Sequence, residues 1–378
     1  MNNELLNINI VGDFFSPKLN GLEFSDALNE KLKHADLNVV NFEGPINTNK
    51  SVPICKSGPN ISQDPDAPVF LKEHGFKLFS LANNHSMDYG VQALDATIKC
   101  LNEECIVGAG LWDEAYKVKI LEIKGKKIGF LAITQFEFGV LDDIAFCENK
   151  KGAAWMEHPC IDKLIVDSKQ QCDYLIVLPH AGLEHFTLPL PELRTLYRHF
   201  VDMGADAVIG GHPHVPQPWE TYKKKPIVYS LGNFCFDRES KKPLWSIGLL
   251  ANLTFDDYEV NLQIYPLHFD RNSRTVEIIN DANINSILDE SNELFSNKSA
   301  YVEAVNNHCL SMQSYYDMLL EMSGYSKFSI KHCLGYIKRK LLGKVPTTDH
   351  SHFINCVRCE PHRWVLSRIY ELNNIDTK

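Results

Sequence analysis

Seven short apolar runs constrain this chain more than any other feature: LLNINIV (5–11), LNVVNF (37–42), FKLFSLA (76–82), KKIGFLAIT (126–134), DYLIVLP (173–179), DAVIGG (206–211) and KPIVYSLG (225–232). They are rich in β-branched residues and read as buried strands. Between several of them lie stretches of helical period: FSDALNEKLKHA (24–35), VQALDATIKCLNEE (91–104) and LPELRTLYRHFVDMG (190–204). The last ends on a glycine suited to a helix C-cap. Alternation of this kind predicts an α/β layered domain. After residue 246 the pattern changes to longer runs, SIGLLANLTF and VNLQIYPLHFD, expected as an antiparallel hairpin or finishing sheet. From about residue 284 the chain turns helical and polar. A boundary in RNSRTVEIINDAN divides a main domain, 1–280, from a C-terminal helical extension, 281–378.

The 378 residues suffice for one large α/β domain with an appendage. The net charge of −10 argues against nucleic acid as a partner, because binding a phosphate backbone needs clustered Lys and Arg. An anionic small molecule or polymer remains compatible, since a metal supplies local positive charge. The eleven cysteines are odd in number and lack framework spacing, which fits reduced thiols in a cytoplasm. The start, MNNELLNINIVGDF, has no basic segment followed by a long apolar one. No apolar run approaches the roughly 18 residues of a membrane span. The expectation is a soluble, cytoplasmic protein.

The strand ends carry the chemistry. LNINIVG ends in Asp13, and LNVV runs into Asn41 and Glu43. LFSLA leads to Asn83, Asn84 and His85, with Asp88 beyond; YLIVLP ends in His180, with Glu184 following. DAVIGG leads to His212 and His214, and IVYSLG to Asn233, with Asp237 near. In an α/β sheet the C-terminal strand ends share one edge, where ligands bind. Any one of these residues alone reads as a loop histidine, a helix cap or a turn. Six strand ends with the same chemistry point to a common site. Carboxylates, imidazoles and an amide suit Mn, Fe or Zn, and there are enough of them for one or two divalent ions. A two-metal site can activate water and stabilise both oxygens of an in-line displacement at phosphorus. Gly210 and Gly211 let the backbone bend before the ligands, and Pro213 and Pro216 stiffen the loop that carries them.

At these residues the sequence resembles the CapA family of bacterial capsule and poly-γ-glutamate synthesis proteins, a branch of the calcineurin-like metallophosphoesterase superfamily. The ordered matches are VGDFF, ADLNVVNFEGPI, LFSLANNHSMDYG, GAGLWDEA, VLPHAGLEH, GADAVIGGHPHVPQPWE and IVYSLGNFCFD. The resemblance implies a layered α-β-β-α sandwich and a metal-dependent hydrolase, phosphoesterase-like, of surface-polymer synthesis. It implies Asp13 and His214 on a first metal, Glu43 bridging, and Asn84, His180 and His212 on a second. It implies His85 as a catalytic group that contacts the substrate or protonates the leaving oxygen, oriented by Asp88. Two departures stand out. Phe15 occupies a position where superfamily members often carry a histidine, which weakens the first metal site. Family members usually carry an N-terminal membrane anchor, for which no apolar segment is present here.

Other residues carry lesser expectations. Lys56, in PICKSGPNI, and Glu184 are candidates to bind substrate; Asn41 and Asn233 are candidates to bind substrate or hold the ligands. The C-terminal HSHFINCVRCEPHRW offers His350, His352, Cys356, Cys359 and His362, whose spacing allows a zinc but reads more readily as a packed terminal helix. Two rival functions stay open: amide or γ-glutamyl chemistry at the same metals, and a non-catalytic assembly protein for polymer synthesis.

Overall fold

A computed structural model of the chain describes residues 5–48, 51–142, 150–256, 259–316 and 351–374. Among them, strands form two large sheets and one small one. In the first large sheet, strand Leu6–Phe15 is central. It pairs in parallel with Leu37–Phe42, which continues to Phe76–Ser80. On its other side it pairs antiparallel with Ile247–Phe255, which continues to Val260–Asp270. The two long runs after residue 246 therefore extend this sheet as a hairpin. In the second large sheet, Lys126–Thr134, Tyr174–His180, Ala207–Ile209 and Lys225–Leu231 run parallel, with antiparallel strands at both edges.

The two sheets pack face to face. Ile8, Ile10, Val39 and Leu78 of the first meet Ile128, Phe130, Ile176 and Val228 of the second in one buried core. Strands buried on both faces explain why most of the seven runs are largely apolar; LLNINIV instead alternates with asparagine, and its buried Asn9 hydrogen-bonds Asn38 and Asn252. The outer face of the first sheet is covered by helices Asp26–Lys33, Ala67–Glu73 and Gly90–Leu101, through Leu28, Leu32, Leu71, Leu94 and Ile98. Helices Cys160–Lys169 and Pro191–Met203 lie on the second sheet and bury Ile165, Leu193, Tyr197 and Phe200. The order of layers is α-β-β-α, as expected. Gly204 ends helix Pro191–Met203 at φ +128°, a conformation that favours glycine.

The chain changes sheets at Gly232. Lys225–Leu231 belongs to the second sheet, while Asn233–Phe236 pairs in parallel with Leu6–Phe15, aligning Asn233 with Asp13. A Cβ on Gly12 would lie 1.9 Å from the Gly232 carbonyl oxygen, so the crossing requires glycine at position 12. The Asp13 amide donates to the same carbonyl at 3.1 Å.

Glu220, on strand Pro216–Tyr222, anchors helix Pro191–Met203 to the second sheet. It accepts from Arg194 (3.0 Å), from Arg198 at both oxygens (2.9 and 2.5 Å) and from Tyr229 Oη (2.6 Å). Burial opposes its charge, yet the two guanidinium groups and the phenol hold its carboxyl at about 2, below the usual 4.5. A depressed carboxylate contributes stability that is complete above pH 4.5 and is lost as pH falls toward 2. Glu220→Gln is expected to lower stability at pH 7 by about 1–2 kcal/mol and to flatten the acid limb of the melting-temperature profile.

The chain divides into two compact units, Met1–Ile54 with Asn60–Tyr301, and Cys55–Pro59 with Val302–Lys378. Helix Ala282–Ser296, expected with the C-terminal extension, falls in the first unit. Phe295 packs on Tyr229, and Asn292 Oδ1 accepts from the Trp219 amide at 3.1 Å. In the second unit, helices Ser351–Arg358 and Glu360–Asn374 pack together, and Tyr316 Oη bonds His362 Nδ1 at 2.7 Å. Cys356 and Cys359 are buried there. Among the described residues they belong to no group of three or more closely set metal-ligating side chains. His350 and the side chain of His352 lie outside what is described.

Candidate metal centre

The strand ends converge. Asp13, Glu43, Asn84, His85, Asp88, His180, His212, His214 and Asn233 are all buried, and Asn41 is half-buried among them. Asp13, Glu43 and His180 each offer a ligand atom, all within 4.8 Å of one another.

On one side, His180 Nε2 lies 3.1 Å from Asn84 Oδ1 and 3.2 Å from His212 Nδ1. Two donors on one tetrahedral metal, with bonds of about 2.0 Å, stand about 3.3 Å apart, so His180 Nε2 has the spacing of a fellow ligand to both Asn84 Oδ1 and His212 Nδ1. On the other side, His214 Nδ1 lies 3.3 Å from Asp13 Oδ2, and His214 Nε2 lies 3.7 Å from Glu43 Oε1. Asp13 Oδ2 is buried and accepts no hydrogen bond among the described residues, an arrangement that a cation would resolve. The donor set fits a divalent metal.

Neighbouring side chains fix the ligands. Asn83 Nδ2 donates to Asn41 Oδ1 (3.0 Å), which orients the Asn41 amide to donate to Asp13 Oδ1 (2.8 Å). Asn233 Nδ2 donates to the Trp245 carbonyl (2.8 Å), so its oxygen faces His214 Nδ1 at 2.9 Å. That oxygen needs a proton on Nδ1, which leaves Nε2 as the nitrogen facing Glu43. His85 Nδ1 is 2.6 Å from Asp88 Oδ2, and Asp88 is itself held by the Ile61 amide at 2.7 Å. His85 Nε2 then points toward Glu43 Oε1, 3.8 Å away.

Burial and charge divide the histidines. Burial lowers His212 to about 4 and His180 well below its usual range, so both imidazoles are neutral at pH 7. Burial opposes the charge on His214 as well, but Glu43 and Asp13 raise it to about 10. Burial likewise opposes ionisation of Asp13, and the neighbouring His214 and His180 imidazoles, with the Asn41 amide, hold it at about 2. Two neutral nitrogens and an ionised carboxylate are the protonation states that metal ligation requires, whereas His214, protonated at neutral pH, must give up its Nε2 proton to join them.

The ligand loop has unusual backbone. His212 and His214 have φ +96° and +59°, and His185 has φ +63°. Such conformations cost of order 1–3 kcal/mol in non-glycine residues and persist only where the surroundings enforce them. Gly211, just before, leaves space: a Cβ there would sit 3.2 Å from Asp13 Oδ1 and 3.6 Å from His180 Nδ1. Gly211→Ala is therefore expected to weaken metal affinity by about tenfold with little change in melting temperature, read by titration calorimetry.

Phe15 packs on Phe236 at 5.0 Å, and Phe236 on His214 at 4.6 Å and on Trp245 at 5.2 Å. An aromatic wall thus stands where a further histidine was looked for. Glu184 is exposed, 3.7 Å from His185 Nε2. Lys56 belongs to the second compact unit. Two residues were missed: Gln135 is buried, with Nε2 2.9 Å from His212 Nε2, and Glu137 Oε1 is 3.9 Å from the same nitrogen. They follow strand Lys126–Thr134, whose polar end is a seventh instance of the pattern seen at the other six.

No helix among the described residues is long and apolar enough to cross a membrane. Residues 16–238 match the family model described as "Bacterial capsule synthesis protein PGA_cap". The PGA biosynthesis protein CapA of Bacillus subtilis (strain 168) is 33% identical over 202 residues, 52% of each chain. The capsule biosynthesis protein CapA of Bacillus anthracis is 33% identical over 217 residues, 55% of this chain and 52% of that protein. The chain spans about half the length of these relatives. The solved structure of TT1561 of Thermus thermophilus matches at TM-score 0.38 and 13% identity, over 73% of this chain and 99% of that one. That score is too low to carry an argument.

Proposed function

The chain belongs to the bacterial capsule synthesis protein family PGA_cap, and on that premise we propose that it is a metal-dependent hydrolase acting on an anionic substrate of surface-polymer synthesis, most directly a phosphoester. One observation carries the reading: His180 Nε2 stands at metal-ligand spacing from both Asn84 Oδ1 and His212 Nδ1, and His180 clusters with Asp13 and Glu43. Asp13, Glu43 and His214 would hold a first ion, and Asn84, His180 and His212 a second, with Glu43 between them. Bound divalent metal supplies Lewis acidity and a water nucleophile at neutral pH.

The chain's own residues supply the rest. His85 delivers a proton from Nε2 to the leaving oxygen, while Asp88 keeps the proton on Nδ1 and the ring in place. Asn41 and Asn233 keep Asp13 and His214 from rotating. Phe15, Phe236 and Trp245 close one side of the site to water.

The test is to reconstitute the protein with Mn, Fe or Zn and assay phosphomonoesters, phosphodiesters and γ-glutamyl amides in parallel. Turnover of a phosphoester supports the reading, and turnover of amides alone moves the assignment to γ-glutamyl chemistry. The Phe15 wall favours one second reading, a polymer-assembly protein with a metal that only shapes the fold. Metal binding without turnover of any class would select it.

A further inference from the structure

We propose that Glu137 is a positioning residue of the metal centre: its carboxylate accepts the hydrogen bond of His212 Nε2 when His212 Nδ1 ligates metal. The inference rests on the metal reading above and adds to it a residue that neither the family pattern nor the strand-end reading supplied.

Gln135 fixes the hydrogen-bonding roles around His212 Nε2. Its Oε1 lies 2.8 Å from the Gly182 amide. A backbone N–H only donates, so the atom facing it is fixed as the oxygen. The NH2 group therefore faces the other way, 2.6 Å from Glu137 Oε1 and 2.9 Å from His212 Nε2. An amide NH2 cannot accept a hydrogen bond. In the arrangement observed, His212 Nε2 is thus an acceptor, and the ring proton lies on Nδ1, 3.2 Å from His180 Nε2.

Metal ligation reverses this. A neutral imidazole carries one N–H, and a nitrogen that gives its lone pair to a metal cannot keep it. With Nδ1 on the metal, the proton sits on Nε2 and faces the Gln135 NH2, two donors opposed. Glu137 resolves the conflict. Its Oε1 is 3.9 Å from His212 Nε2, and its side chain is 12% exposed. A shift of about 1 Å brings it to the usual hydrogen-bond length. The result is a carboxylate–histidine–metal arrangement, which fixes the ring and strengthens the nitrogen as a ligand. Gln135 then acts as the brace between the Glu137 carboxylate and the Gly182 amide.

The experiment uses the full chain, stripped of metal, with Zn2+ and Co2+ as probes. Affinity is measured by calorimetry and ligand geometry by the visible spectrum of the Co2+ form. Glu137→Ala and the isosteric Glu137→Gln are compared with wild type. The expected result is a 10- to 100-fold loss of affinity in both and an altered Co2+ spectrum, with metal-free melting temperatures near wild type. Glu137→Gln keeps the test valid should the alanine variant fold poorly. Wild-type affinity and spectrum in Glu137→Gln would overturn the proposal and leave the metal site standing. Absence of binding in wild type itself would overturn the metal reading first, and this proposal with it.

Discussion

His212→Ala is expected to fold as wild type does and to lose the metal held with Asn84 and His180. His212 is buried, and its Nδ1 sits 3.2 Å from His180 Nε2, so truncation removes one of three converging donors. Loss of a ligand from a site of this kind costs far more than the about tenfold expected of Gly211→Ala, because a metal–nitrogen bond is removed outright rather than displaced. The fold should survive, because His212 is a polar residue at a strand end and not part of the apolar core between the sheets. Backbone geometry adds a control. At φ +96°, alanine is strained and glycine is not, so His212→Gly should be no less stable than His212→Ala while losing metal equally. Elemental analysis beside a thermal melt reads both quantities. Full metal content in the variants would remove His212 from the ligand set.

His85→Ala is expected to lower kcat by about a hundred- to ten-thousand-fold, with KM little changed. The proposed mechanism gives His85 to the leaving group, a role supported by Nδ1 lying 2.6 Å from Asp88 and Nε2 facing Glu43. A proton donor matters in proportion to the basicity of the leaving oxygen. The loss should therefore be large with an alkyl phosphoester and small with a nitrophenyl one. Asp88→Asn should show the same dependence in weaker form, because the amide still orients the ring but does not stabilise its charge. Equal losses on both kinds of substrate would mean that His85 binds substrate rather than protonating it.

The sheets were legible because strands covered on both faces leave largely apolar runs, even where LLNINIV interleaves asparagines. The polar residues Asp13, Glu43, Asn84, His180 and His212 could be read together because parallel strands place their ends on one edge. Gln135 and Glu137 escaped notice for chemical reasons: Gln is a rare ligand, and the flanking Phe136 and Phe138 make the segment look like core. Helix Ala282–Ser296 looked like part of a polar extension because few of its residues are buried; Leu288 and Phe295 attach it to the first unit. The positive φ values at His212 and His214 depend on the loop's surroundings, which no local pattern encodes.

The sheet change at Gly232 bears on how substrate enters. Gly12, Gly232 and Gly248 bring three backbone segments together where no side chain fits between them. The two layers are stitched at this seam, and Asp13 and Asn233 leave it side by side. Breathing of the layers is expected to be suppressed at the end that carries the ligands. On the proposed function, substrate is then expected to enter by loop movement, and amide protons at the seam should be among the last to exchange with deuterium.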